Sequence, residues 1–289
     1  MILDGKLVAN SIKEKVKSYT ATNPDVSLTI VQVGNNPASN TYVRNKIRAC
    51  DETGIKSNIV KFETPEEADR CIVIPETLLN TDSTGVMLQL PLPQGWHEDY
   101  FVNLIDSTKD ADCLTQNSLG KFYCSNNPHI APCTAQGIVD LLDFYKIETE
   151  GKRALVIGRS NIVGRPIAHL LETRNATVTL AHSKTPKQDL INLFINADIV
   201  IVAVGKPNFI TEEDLLKYGT MELNDENKVI IDVGINRTEE GKLCGDLSEE
   251  FKETHSKAFS PVPGGVGPLT VANLFYNTVK LHKQKNNIS

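Results

Sequence analysis

No apolar run in this 289-residue chain approaches the roughly 20 residues that a membrane-crossing helix needs, so no transmembrane segment is expected. The opening residues, MILDGKLVANSIKEKVKSY, scatter charges through an amphipathic helix pattern and lack the build of a signal peptide. Positive charge is not in surplus. The net charge is −6, which leaves no basic surface to argue for nucleic acid. None of the six cysteines (50, 71, 113, 124, 133 and 244) forms a C-x-x-C pair, and their irregular spacing argues against a zinc site. They read as free thiols of a cytoplasmic protein, and none lies in the motif of a catalytic nucleophile. Internal repeats and low-complexity segments are also absent. The rest is ordinary for a soluble globular protein, with 40% hydrophobic and 23% charged residues. A chain of 289 residues makes one or two domains and is long enough for a real core.

A further lack helps to define a site. The stretch from Arg153 to Leu171, RALVIGRSNIVGRPIAHLL, has the order strand, glycine turn, helix, but no G-x-G-x-x-G. Ala154 to Ile157 reads as a buried strand that stops at Gly158. Gly164 follows, then a helix with Ile167, Leu170 and Leu171 on one side. Pro166 suits its first turn. Such a unit opens a dinucleotide-binding fold, whose helix N-terminus offers free N–H groups to a phosphate. The same residues also fit a strand–turn–helix in any α/β protein. A second strand at 176–181 follows at the right separation. An NAD site carries an acid about 20 residues past the glycines. Thr173 to Gln188 contains no Asp or Glu and instead reaches His182, Ser183 and Lys184. With Arg159 in the turn, these residues suit a 2′-phosphate, so a dinucleotide here would be NADP. Alternatively, they are solvated turn residues.

Several other segments carry chemistry-bearing residues. Leu7, Val8, Ile12, Val16 and Tyr19 give the first helix an apolar stripe. A strand at 27–33 leads to a Gly-Asn-Asn-Pro turn and a helix from Pro37 to a C′ residue at Gly54. Tyr42 and Lys46 lie four apart on that helix and share a face. A strand at 56–62 precedes a helix start at Thr64 to Glu67, and Pro75 should kink or end that helix. The strand at 84–90 ends with Gln89 against Pro91-Leu92-Pro93. Residues 106–120 read as a loop that holds Asp110 and Asp112 two apart, a pair that suits metal ligands or a substrate acceptor. Pro132-Cys133-Thr134 reads as a hinge, with Thr134 able to cap the helix that follows. Beyond the second nucleotide strand, a helix at 186–195 and strands at 198–204 and 228–233 are expected. Their turns GRS, GKP and GIN would rim the carboxyl ends of a parallel sheet. Residues 261–270, PVPGGVGPLT, hold three prolines and three glycines and read as irregular. An amphipathic helix is expected from Pro268, with a polar tail.

Eight segments together resemble the bifunctional methylenetetrahydrofolate dehydrogenase/methenyltetrahydrofolate cyclohydrolase family. They are VGNNPASNTYVRNKIRAC (33–50), LQLPLP (88–93), KDAD (109–112), PCT (132–134), GRSNIVGRP (158–166), HSKT (182–185), DVGIN (232–236) and PVPGGVGPLT (261–270). The resemblance covers nearly the whole chain. It implies an α/β protein of two domains around a cleft. One is an N-terminal α/β catalytic, folate-binding domain over 1–131, completed by the C-terminal helix 268–289. The other is a Rossmann-like NADP-binding domain with a parallel sheet over 132–267, through which homodimers form. It also implies oxidation of 5,10-methylenetetrahydrofolate by NADP and hydrolysis of the methenyl product to 10-formyltetrahydrofolate. Tetrahydrofolate derivatives are then its partners, with neither nucleic acid nor membrane among them.

Residue by residue, the resemblance implies that Lys46 is the catalytic lysine, oriented by Gln89. Tyr42 stacks on the folate rings, and Asp112 accepts from the pterin's amino-pyrimidine edge. Leu88 and Leu90 flank Gln89 in the substrate site. Gly158, Arg159 and Ser160 form the phosphate turn, and Arg159 and Ser183 take the 2′-phosphate. Ile235 makes a backbone contact to the nicotinamide. Pro263, Gly264, Gly265, Pro268 and Thr270 lie between cofactor and folate. Cys113 departs from the family, which usually has glycine there, and a positive φ at that position would cost strain. A monofunctional dehydrogenase would lack the lysine or its partners. A non-enzymatic NADP-binding protein would have no need of the Tyr42, Lys46, Gln89 and Asp112 set.

Overall fold

The structure is a computed structural model that describes residues 1–64, 73–79, 81–125, 128–219, 227–238 and 240–288. In chain order the elements begin α1 (Gly5–Thr20), β1 (Ser27–Val33), α2 (Pro37–Thr53), β2 (Lys56–Phe62), α3 (Val73–Leu79), β3 (Gly85–Leu88), α4 (Glu98–Val102), α5 (Gln116–Tyr123) and α6 (Cys133–Phe144). They continue with β4 (Arg153–Ile157), α7 (Gly164–Glu172), β5 (Thr177–Ala181), α8 (Lys187–Asn196), β6 (Ile199–Val202), α9 (Glu212–Tyr218) and β7 (Val229–Asp232). The last are β8 (Asn236–Arg237), β9 (Leu243–Cys244), α10 (Glu249–Thr254), β10 (Ala258–Phe259) and α11 (Val266–Lys285). By its contacts the chain divides into two units, Asn10–Cys133 with Val271–Ser289, and Met1–Ala9 with Thr134–Thr270. Among the described residues, no helix is long and apolar enough to cross a membrane.

The first unit is built on a three-stranded parallel sheet in the order β2-β1-β3. The central strand is buried on both faces, and this explains why SLTIVQV reads as a nearly unbroken apolar run. Its side chains alternate between two cores, as the period of a strand requires. Leu28 and Ile30 pack with Met87, Val16, Leu274 and Phe275, whereas Val31 and Val33 pack with Leu88, Ile74, Leu78 and Phe101. Gly85 lets the sheet close against α11, because a Cβ there would lie 3.1 Å from Thr278. Val86 pairs in parallel with Asp110, so the segment carrying Asp112 is stitched to the edge of β3.

The second unit holds a five-stranded parallel sheet in the order β10-β7-β6-β4-β5. Leu155, Ile157, Val200, Val202 and Ile230 pack on one face against Ile191, Phe194 and Phe251. The chain runs from β4 to β5 on one side and then to β6 on the other. The turns after these strands therefore meet at a topological switch point, where α/β folds bind ligands.

Several local expectations differ from the structure. Residues 106–120 are not all loop, because Thr115 accepts from Ser118 N and starts α5. Thr134 caps no helix. α6 already begins at Cys133, and the Thr134 hydroxyl lies 3.1 Å from that of Thr270. Half of PVPGGVGPLT is regular, since α11 begins at Val266 and takes Pro268 into its first turn, where a missing N–H costs nothing. Leu7 is exposed, outside the stripe of Val8, Ile12 and Val16. Pro75 sits in the first turn of α3, and the helix start at Thr64 to Glu67 lies largely outside the described residues. Residues 1–9 belong with the nucleotide-type sheet, because Leu3 N donates to Phe259 O at 2.8 Å and Gly5 N to Gly264 O at 3.0 Å.

Candidate active site

Lys46 lies in the middle of α2, one turn after Tyr42. Its Nζ donates to Gln89 Oε1 at 2.8 Å. Gln89 is held in turn. Its backbone N–H donates to Val31 O at 2.8 Å, and its Nε2 donates to Leu90 O at 2.6 Å. That second bond fixes which way the amide faces, so the acceptor end meets the lysine. Burial pushes the Lys46 ammonium below the usual lysine value, against the upward pull of Asp112. Tyr42 keeps 38% of its surface exposed, free to meet a ring. Leu88 is buried in the sheet and Leu90 is half-buried.

The two aspartates two apart have separate tasks. Asp110 is buried and accepts from Leu114 N at 3.3 Å and Thr115 N at 2.8 Å, which folds the turn. Asp112 is half-buried and hydrogen-bonds to Cys133. Burial raises its carboxyl, opposed by the charge of Lys46. The same desolvation therefore pushes the lysine and the acid toward their neutral forms. Cys113, between Asp112 and α5, has φ of 58° and a fully buried side chain.

Two residues around Asp112 have no role in the site from the sequence alone, where Cys133 reads only as part of a hinge and of a matching segment. The Cys133 thiol donates to Ala111 O at 3.4 Å, and desolvation holds its pKa well above the ordinary thiol value. Asn277, buried on α11, donates to Ala111 O at 3.0 Å and to Ala131 O at 2.9 Å. It thereby clamps the two segments that bear Asp112 and Cys133. A polar residue among the apolar positions of α11 is the signal that could have found it. Among the described residues, no group of three or more His, Cys, Asp or Glu side chains could hold a metal ion.

In the other unit, Gly158, Arg159 and Ser160 follow β4, Ser183 follows β5, and Ile235 follows β7, all at the carboxyl ends of the parallel strands. Gly158 has φ of 121°, and a Cβ there would lie 2.2 Å from Ala203 O. A Cβ on Gly164 would lie 2.1 Å from Gly158 O. The six-residue spacing thus closes the turn on itself and brings backbone up to backbone. The helix end is not an open donor set, contrary to expectation. Ser160 Oγ accepts from Val163 N at 3.1 Å and Gly164 N at 3.4 Å, Ser160 O accepts from Arg165 N at 3.0 Å, and Pro166 has no N–H. The turn still offers a phosphate the Ser160 hydroxyl proton and the side chain of Arg159, which is exposed and in no ion pair among the described residues. Thr185 N donates to His182 O at 2.8 Å, closing a turn that leaves Ser183 exposed. This cradle fits a dinucleotide, and its hydroxyl and cation without an acid fit a 2′-phosphate. Pro263, Gly264, Gly265, Pro268 and Thr270 belong to this unit, whereas Tyr42, Lys46, Gln89 and Asp112 belong to the other.

Two family models match the chain. Residues 3–112 match the "Tetrahydrofolate dehydrogenase/cyclohydrolase, catalytic domain", and residues 132–286 match the corresponding "NAD(P)-binding domain". The "Bifunctional protein FolD" of Lacticaseibacillus casei is 43% identical over 99% of this chain and 98% of its own. The bifunctional FolD methylenetetrahydrofolate dehydrogenase/cyclohydrolase of Campylobacter jejuni is 38% identical, covers 99% of both chains and has a TM-score of 0.87. The Trypanosoma brucei methylenetetrahydrofolate dehydrogenase-cyclohydrolase, solved with NADP cofactor and an inhibitor, is 31% identical. It covers 99% of this chain and 98% of its own, with a TM-score of 0.87.

Proposed function

Because the chain belongs to the tetrahydrofolate dehydrogenase/cyclohydrolase family, we propose that it oxidises 5,10-methylenetetrahydrofolate with NADP and hydrolyses the methenyl product to 10-formyltetrahydrofolate. The observation that carries this reading is the Lys46–Gln89 hydrogen bond of 2.8 Å, in one unit with Asp112 and Tyr42. Gly158, Arg159, Ser160, Ser183 and Ile235 would hold the cofactor, and Pro263, Gly264, Gly265, Pro268 and Thr270 would complete the folate site with Leu88 and Leu90. Bound NADP supplies the acceptor for the hydride. Oxidation leaves a resonance-stabilised cation, so the protein's task there is orientation rather than proton removal. Tyr42 meets the ring face, and Asp112 accepts from the amino-pyrimidine N–H donors.

The second step adds water to the cation and needs proton transfer. Lys46 is the group for it. Burial already draws its pKa down, and a bound cation lowers it further, which makes the neutral amine available. The amine takes the proton of the attacking water and returns it to the ring nitrogen as the carbon–nitrogen bond opens, while the remaining hydroxyl proton of the adduct leaves to solvent as the formyl C=O forms. Gln89 holds the Nζ in place through both transfers. We assign residues 1–131 with the C-terminal helix to folate chemistry, and 132–267 to NADP. Among the described residues β5 is the edge strand of its sheet, which supports dimer formation through residues 132–267, and the free thiols suit a cytoplasmic enzyme that feeds one-carbon units to purine synthesis.

The test is a spectroscopic time course with methylenetetrahydrofolate and either NADP or NAD, following reduced nicotinamide and the methenyl species separately. Reduced NADP should rise while methenyl stays low, with much slower reduction of NAD. Methenyl accumulating in step with reduced cofactor would make the protein a monofunctional dehydrogenase. No turnover with either cofactor would reduce it to an NADP-binding protein.

A further inference from the structure

The turns after β6 and β7 converge on one buried carboxylate. Asp246 is 0% exposed. Its Oδ2 accepts from Val204 N at 2.7 Å and Gly205 N at 3.0 Å, and its Oδ1 accepts from Lys206 N at 2.9 Å and Asn236 Nδ2 at 2.8 Å. A carboxylate has about four lone-pair sites, and here each meets a donor. Three consecutive backbone N–H groups of the turn after β6 are thereby joined to the turn after β7. The fit is tight, since a Cβ on Gly234 would lie 2.2 Å from Asp246 Oδ1.

Asp246 is itself pinned by a second buried carboxylate. Asp232 Oδ1 accepts from Asp246 N at 2.9 Å and Gly234 N at 2.9 Å, and its Oδ2 accepts from Leu247 N at 3.0 Å. The buried Lys252 Nζ lies 3.5 Å from Asp232 and donates to Ser260 O at 3.0 Å. The carboxylate pair thus holds the backbone before Ile235, at Gly234, and the side chain after it, at Asn236. It also fixes the turn that begins at Ala203, whose carbonyl closes against Gly158.

We infer that Asp246 is the positioning residue of the NADP site, holding the turns after β6 and β7 in the shape that receives the cofactor without touching the folate chemistry. This rests on the NADP reading above. Asn is isosteric but offers one acceptor oxygen and an NH2 group that would face N–H donors. Asp246→Asn therefore releases part of the turn while keeping the side-chain volume.

The test is NADPH binding by fluorescence titration, together with cofactor-free hydrolysis of methenyltetrahydrofolate. Asp246→Asn should raise the NADPH Kd at least tenfold and leave the KM and kcat of hydrolysis within twofold. Asn236→Ala removes one of the four donors and should raise the Kd about threefold, so it carries the test if Asp246→Asn fails to fold. Asp198→Asn is the control. Asp198 is a structural carboxylate at the amino ends of β4 and β6, where it accepts from Arg153 N at 2.9 Å, and its loss should leave the Kd unchanged. An unchanged Kd in Asp246→Asn with a lowered melting temperature would overturn the inference, as would equal loss of binding and hydrolysis. A wild-type protein that binds no NADPH would overturn the cofactor reading and this inference with it.

Discussion

At the scale of single residues, the site depends on positions where chemistry and backbone disagree with the ordinary preference. Cys113 holds φ of 58° with a side chain, although that region costs an L-residue about 1–2 kcal/mol. At most positions an alanine is more stable than a glycine by roughly 0.5–1 kcal/mol. Here the order should invert. Cys113→Gly is expected to melt above Cys113→Ala by an amount worth about 1 kcal/mol in denaturant unfolding. The opposite order would mean that the turn relaxes at no cost. Arg159 tests the cofactor end. Arg159→Ala should weaken NADP by tenfold or more and NAD hardly at all, and equal losses would remove the guanidinium from the 2′-phosphate. The residues of this scale were legible in part. Gln89 stood out as an amide that ends an apolar strand, whereas Lys46 and Asp112 took their roles from the family resemblance. Cys133 and Asp246 did not stand out, because most of their partners are backbone groups, and the rest lie far along the chain or in no side-chain motif.

At the scale of elements, the strands and long helices follow from sequence pattern, whereas their fastenings come from distant residues. Lys228, at the start of β7, is 0% exposed and donates to Phe194 O at 2.9 Å, Ile195 O at 3.2 Å and Ala197 O at 2.8 Å. Phe194 O and Ile195 O belong to the last turn of α8 and Ala197 O lies just past it, and the buried ammonium caps this helix end. Lys228→Met keeps the stem but strands the carbonyls, at a cost of about 2–4 kcal/mol. Chemical denaturation should show that loss. A change below about 0.5 kcal/mol would mean that water or a shifted turn satisfies them. A lysine one residue before VIID looks like an ordinary strand border, so its role could not be read from the sequence. The short helices α4 and α5 were missed for a similar reason. Elements of five and eight residues are too short for an apolar period to register; α5 starts on a single capping hydroxyl, and α4 has no side-chain cap.

At the scale of the molecule, the chain forms two α/β units, and the proposed function assigns lysine chemistry to one and a phosphate turn to the other. The two parallel sheets were legible because buried parallel strands are continuous apolar runs, as in SLTIVQV and VIID. The membership of residues 1–9 was not. It depends on Leu3 pairing with Phe259, a contact whose separation along the chain leaves no local trace. Of the candidate site, Lys46, Gln89 and Asp112 lie together in one unit, as their shared role requires.

The central claim is that Lys46 acts as the base in hydrolysis. The most direct measurement is the pH profile of cofactor-free methenyltetrahydrofolate hydrolysis by the wild type and by Lys46→Met, with NADPH binding measured on both. Burial lowers the Lys46 pKa from 10.5, so the wild-type rate should climb with pH through a midpoint below that value as the neutral amine forms. Lys46→Met should lose hydrolysis and its pH dependence while binding NADPH as before. Hydrolysis at the wild-type rate and with the wild-type pH profile in Lys46→Met would contradict the account.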